Sequence, residues 1–286
     1  NVKGKFPIGF TVWDLDKKDK VNEIKVDVFE RKGNFQGQKS FYGDLPQSIN
    51  KWFVQFQDIS KDNIGLLSNY PPDFQNQNKV FIQNKKMARG NPIKITHKNL
   101  IPMSIYFAVR HVFKATWLND RDQFLFPNDG WKGDKEFQND CLAFALFHGQ
   151  NRISSKAGIN NWIPFTESEV NAPERFESHF MTDFIGGKLR IQNTPPAIAD
   201  TTQGGNNREL FASTQENFIP NQPLEFSPEA VAVFEAGREL WKYYFECTKN
   251  APHSNEHTSL VGWNLTNPSL YDIKAYFQGV DEKGRM

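Results

Sequence analysis

Between residues 23 and 28 the chain alternates strictly, with Ile24, Val26 and Val28 apolar and Glu23, Lys25 and Asp27 charged. A period of two belongs to a half-buried β-strand. Upstream, Phe6 to Trp13 reads as another strand, joined to the first by the charged turn Asp14 to Lys20. Gly33-Asn34 marks the next turn and Phe35 to Tyr42 a further strand. A helix-like stretch, Ser48 to Phe56, precedes short strands at Ile64 to Leu67 and Lys79 to Gln83, with loops at Tyr70 to Asp73 and Arg89 to Pro92.

The period then changes. Ile101, Ile105, Val109, Val112, Phe113, Thr116 and Trp117 recur every three or four residues, which predicts a helix over Leu100 to Leu118 with one face in a core. Asp134 is placed to cap a second helix that carries Phe137, Cys141, Phe144 and His148 on one stripe, with Gly149 just beyond it. Thr166-Glu167-Ser168-Glu169 is a capping box, and Pro173 is placed to start a helix bearing Phe176, Phe180 and Phe184. Ser227-Pro228 opens the clearest helix, with Ala230, Val233, Phe234, Gly237, Trp241, Tyr244 and Phe245 on its stripe, running to about Lys249. Thr194 to Asn207, rich in Pro, Gly and Asn, is expected to be a loop. Together these predict an α+β fold. A β-rich part with antiparallel hairpins spans 1–95, and a mainly helical part spans 96–286.

Composition adds little apolar material but many rings. Of 286 residues 38% are hydrophobic, and 26 Phe and 7 Trp make up for that low share, because each large ring buries ~150–250 Å². The longest apolar run, Cys141 to Phe147, falls far short of the ~20 residues of a membrane span. Cys141 and Cys247 lack metal or redox spacing and read as buried thiols of a reducing cytoplasm. The chain opens on Asn1, directly before a strand, and reads as a piece of a longer protein.

Net charge is +1, but it is unevenly spread. From Phe74 to Asn119 there is no Asp or Glu, while Lys79, Lys85, Lys86, Arg89, Lys94, Lys98, Arg110 and Lys114 fall in that window. Lysine and arginine neutralise phosphates, so this block is a candidate surface for double-stranded DNA. Trp131, Gln150, Asn151 and Arg152 are weaker candidates, since aromatics stack on bases and Asn, Gln and Arg read base edges.

Candidate chemistry is sparse. His253-Ser254-Asn255-Glu256-His257 has the H-x-x-E-H spacing of inverted zinc proteases, but Pro252 and the weak helix formers around it point to a surface loop. Asp14 or Asp16 with Glu23 and Lys25 echoes the carboxylate plus E-x-K set of metal-dependent nucleases, in which carboxylates hold the metal and Lys polarises water. Glu23 and Lys25 are equally what a solvated strand face requires. Asn69-Tyr70-Pro71-Pro72 and Asn193-Thr194-Pro195-Pro196 each insert a residue into the Asn-Pro-Pro-aromatic motif and lack its aromatic, so both read as turns. No G-x-G-x-x-G or P-loop is present, so no cofactor-binding, metal or catalytic residue is assigned.

Three blocks carry a resemblance: Asn1 to Asp14, Asn139 to Arg152, and Trp162 to Glu167. They resemble segments downstream of the catalytic motif in N6-adenine DNA methyltransferases of bacterial restriction–modification systems. The resemblance implies that the opening hairpin is the end of a methyltransferase sheet and the remainder a target-recognition or connector region. It implies S-adenosylmethionine as the cofactor of a parent enzyme, none in this chain, and other restriction–modification subunits as partners. The expected function is then a non-catalytic, DNA-contacting C-terminal portion. The alternatives are a nuclease domain using Asp14 or Asp16, Glu23 and Lys25, or a structural module that docks subunits.

Overall fold

A computed structural model describes residues 15–16, 22–42, 52, 55–58, 63–68, 80–84, 92–112, 129–189, 218–249 and 266–279. Its described strands are β1 (Glu23–Phe29), β2 (Phe35–Tyr42), β3 (Gly65–Ser68), β4 (Phe81–Gln83), β5 (Ile93–Ile95) and β6 (Asn151–Arg152). The described α-helices are α1 (Leu100–Val112), α2 (Lys135–Phe147), α3 (Glu167–Val170), α4 (Phe180–Ile185), α5 (Pro228–Thr248) and α6 (Leu270–Gln278). The α+β class is therefore correct. The expected strand Phe6 to Trp13, the loop Thr194 to Asn207 and both Asn-x-Pro-Pro turns lie outside the described residues, as does the helix stretch beyond Val112.

β1 and β2 form an antiparallel hairpin in which Ile24 faces Phe41 and Val26 faces Lys39. Gly33, at φ 86°, closes the turn, a backbone conformation that costs little only without a Cβ. The polar face is laced by Ser40 Oγ donating to Glu23 (2.6 Å) and Gln38 Nε2 donating to Asp27 (3.1 Å). The apolar face is less covered than its alternation predicts, because Ile24 stays 46% exposed and Val26 36%. A period of two reports an extended backbone; it does not report what lies against the face.

The second sheet has strand order β5-β3-β4-β6. Its first three strands pair antiparallel, while β6 joins β4 in parallel, with Ile82 opposite Asn151 and Gln83 opposite Arg152. Strands from both sides of residue 95 thus share one sheet. Leu67, Ile82 and Ile95 from its inner face join Leu100, Ile105 and Phe107 of α1 and Leu142, Ala145 and Leu146 of α2 in one core. α1 begins where Asn99 folds the chain over. The Asn99 carbonyl oxygen Oδ1 accepts from the Thr96 amide (2.8 Å), and Nδ2 donates to the carbonyls of Phe56 and Lys94 (2.9 Å each). At 2% exposure these bonds satisfy a polar group that burial would otherwise penalise.

The predicted caps form as drawn. Asp134 accepts from Phe137 N (2.9 Å), Thr166 and Glu169 close a capping box, and Ser227 accepts from Ala230 N (3.2 Å) with Pro228 in the first turn. Pro173 does not start a helix: residues 173–179 are irregular and α4 begins at Phe180. Phe176 turns away into a second core with Phe165, Val170, Trp241, Tyr244, Phe245 and Ile273. Phe180 and Phe184 still stack, with ring centroids 6.0 Å apart.

α2 and α5 approach each other through Gly237. A Cβ there would lie 2.4 Å from Phe147 Cε1, and that ring is itself wedged edge-on against Phe234 (5.2 Å) and faces Phe165 (6.3 Å). Gly237→Ala should therefore destabilise the fold by about 1–3 kcal/mol through overpacking. It should do so although alanine favours a helix over glycine by about 1 kcal/mol. Denaturant midpoints of the two proteins check this; equal or higher stability of the alanine variant would refute the close approach.

Candidate nucleic-acid interface

The basic window divides on folding. Lys79, Lys85, Lys86, Arg89 and Lys114 lie outside the described residues. Arg110 is buried, donating to the Tyr106 hydroxyl (2.6 Å) one turn back on α1, so it supports the core and not a surface. Lys98 is exposed but pairs with Asp58 at 4.0 Å. Lys94 stands exposed on the edge strand β5.

Two of the weaker candidates are also removed from solvent. Trp131 is 5% exposed and packs its ring against Phe56 and Phe218, with centroids 6.1 and 5.6 Å away, so it is not free to stack on a base. Asn151, also 5% exposed, donates through Nδ2 to the Ala145 carbonyl (2.9 Å) and accepts from Ile153 N (3.2 Å). Its amide ties β6 to the end of α2. The same chemistry that reads an adenine edge here reads the protein's own backbone.

Gln150 and Arg152 remain at the surface. Arg152 lies over the Phe81 ring, 4.2 Å from its centroid, and donates to Gln150 Oε1 (2.6 Å). Burial lowers its pKa from the ordinary arginine value, with the nearby Tyr271 acting in the opposite direction. The cation–π contact and the bond to Gln150 fix the guanidinium in place.

The turn His148-Gly149-Gln150 joins α2 to β6, and α6 lies against it. The Lys274 ammonium of α6 sits 3.6 Å from the position a Cβ on Gly149 would take. Burial lowers the Lys274 pKa, and the side chain has no hydrogen-bond or ion-pair partner among the described residues. Composition and periodicity did not single out Lys274. The pattern Ser269-x-x-Asp272, a capping box ahead of Ile273, was the signal that could have placed its helix.

His111 and His148 meet beside this turn with ring centroids 4.3 Å apart, boxed by Phe107 and Phe144. His111 Nε2 donates to the Val80 carbonyl (2.8 Å), and His148 Nδ1 accepts from Gln150 N (3.1 Å). These partners set both tautomers, leaving the His148 proton on Nε2. Burial pushes His111 down to about 4, helped by the neighbouring His148 and Arg110 and opposed by the Val80 carbonyl. Burial lowers His148 as well, and Lys274 adds to that.

Catalytic readings find less support. Glu23 and Lys25 share the exposed polar face of the hairpin, Glu23 accepts from Ser40, and Asp14 lies outside the described residues. Asp16 is exposed, and no group of three or more metal-ligating side chains occurs among the described residues. The H-x-x-E-H segment lies outside them too. Cys141 is buried, as expected, and its thiol is pushed up to about 12 by burial, with Asp140 and Asp134 adding to it. Cys247, expected to be buried, is exposed on α5.

Comparison with known proteins corrects the resemblance drawn from the sequence. No protein-family model matches the chain, and no solved structure does. A curated match is to a protein named Potassium channel K1 from Plasmodium berghei (strain Anka), 28% identical over 119 residues. That match covers 41% of this chain and 6% of the channel, too small a share to assign a family. Nothing in it points to an N6-adenine methyltransferase or a restriction–modification system, and S-adenosylmethionine entered only through that resemblance. No described helix is long and apolar enough to cross a membrane.

The histidine pair sets a pH dependence. Because the folded-state pKa of His111 lies below its unfolded value near 6.5, folding favours the neutral ring. That stability is complete above about 6.5 and is lost as pH falls towards about 4. Lys274 and Arg110 oppose protonation throughout. Chemical denaturation across that window should show a smaller loss for His111→Gln than for the native protein; parallel profiles would refute it.

Proposed function

We propose that the chain is a non-catalytic module that contacts double-stranded DNA through its phosphate backbone. The observation that carries this reading is one row across the four-stranded sheet: Lys94, Leu66, Gln83 and Arg152. Directly opposed residues project to the same face, so the two cations share it, on the outer strands β5 and β6. Neither has a carboxylate partner among the described residues. Neighbouring strands lie ~4.8 Å apart, which sets the edges roughly 14 Å from each other, a spacing on the scale of the ~12 Å major groove.

The chemistry supports backbone contact more than base reading. Lysine and arginine supply charge, whereas the amide and aromatic candidates Asn151 and Trp131 are committed to the interior. A second reading, a module that docks a protein, draws on the hairpin, where Ile24, Phe29 and Phe35 are exposed and the two Phe rings sit 5.5 Å apart.

Fluorescence anisotropy with a labelled duplex of arbitrary sequence decides between them. The DNA reading expects log K to fall linearly with log salt. Flat binding curves at low salt would overturn it and favour the docking module.

A further inference from the structure

We propose that the His148-Gly149-Gln150 turn, with Lys274 set against it, is a binding site for a single phosphate group. The class of ligand is a phosphodiester or a free phosphate. The inference deepens the DNA reading and rests on it where the ligand is a backbone phosphodiester.

Three features converge on the turn. Lys274 Nζ reaches over Gly149, 3.6 Å from where a Cβ would sit, an ordinary van der Waals distance that sets the ammonium against the turn. That ammonium is half-buried and meets no acceptor among the described residues. Next to it, His148 uses Nδ1 to accept from Gln150 N (3.1 Å), and its Nε2–H has no acceptor among the described residues either. One residue further on, Gln150 Oε1 holds the guanidinium of Arg152 (2.6 Å).

The described carboxylate on the same helix as Lys274 is fully engaged elsewhere. Asp272 is 0% exposed and accepts from Ser154 Oγ (2.6 Å), Ser155 N (2.8 Å) and Ser269 N (3.0 Å). It holds α6 in place and leaves the Lys274 charge uncompensated among the described residues. A half-buried ammonium without a counter-charge is destabilising for the protein alone. An anion that brings several acceptor oxygens relieves that cost and can accept from the ammonium. A phosphate offers enough oxygens for Lys274 and His148 together.

The experiment has two arms on the whole chain. In the first, inorganic phosphate is titrated into labelled protein while the Gly149 amide and the His148 ring are followed by NMR. Saturable shifts are expected, with an upward shift of the His148 pKa; unchanged spectra at both residues would overturn the site. In the second, duplex binding is measured for Lys274→Gln and Lys274→Arg. The Gln variant should lose about one unit of salt slope and roughly five- to tenfold in affinity near 0.1 M salt, because one phosphate contact contributes a slope of about 0.9. The Arg variant should keep the slope. Native-like DNA binding by Lys274→Gln would overturn the site and leave the DNA reading standing. Absence of DNA binding by the native chain would overturn that reading instead, and the phosphate titration would then decide the site by itself.

Discussion

The carboxylate of Asp272 is the constraint on which the candidate site depends. It is removed from solvent, and its oxygens are met by two backbone amides and a serine hydroxyl drawn from the segment after β6 and from the α6 cap. A buried anion is tolerable only when its lone pairs are met, so this carboxylate specifies the seat of α6 closely. The Ser269 hydroxyl continues the link by donating to the Ile153 carbonyl. Trp241 Nε1 adds a third tie, donating to the Pro268 carbonyl (3.1 Å) from α5. With α6 fixed in this way, Lys274 has a defined position over Gly149.

On the other side of the turn, Asn151 does the equivalent work. Its amide stitches the end of α2 to the strand that completes the sheet. The turn between α2 and β6 is thus clamped by a buried amide below and a buried carboxylate beside it. What it presents outwards is mostly cationic or neutral: Lys274, Arg152, and two histidines held neutral by burial. The aromatic-rich interior makes this possible, since Phe107 and Phe144 box the histidines and Phe81 carries Arg152.

Much of the local structure was legible along the chain. Asp134, the Thr166–Glu169 box and Ser227-Pro228 each mark a helix start that forms. Gly33 marks a hairpin turn that forms. Residues that failed did so for tertiary reasons. Pro173 is compatible with a first helical turn, yet Phe176 finds a better partner in Phe245, with ring centroids 6.1 Å apart, and draws the backbone out of helix. Lys98 and Arg110 looked alike in a window without carboxylates, but Asp58 reaches Lys98 from outside that window, while burial turns Arg110 inward onto the Tyr106 hydroxyl one turn back. Gln150 and Arg152 were visible as candidates, whereas Lys274 was not, because nothing near it in the chain points to Gly149.

Sequence by itself determined the class of fold, the kinds of elements and most of their starts, because capping, turn formation and periodicity act over a few residues. Only the tertiary structure decided which cations face solvent, which polar side chains are spent on the backbone, and which lysine lies over the turn. Burial and counter-charge are properties of neighbours in space, and for Asn151, Arg152 and Lys274 those neighbours come from α2, β4 and the turn between α2 and β6 respectively.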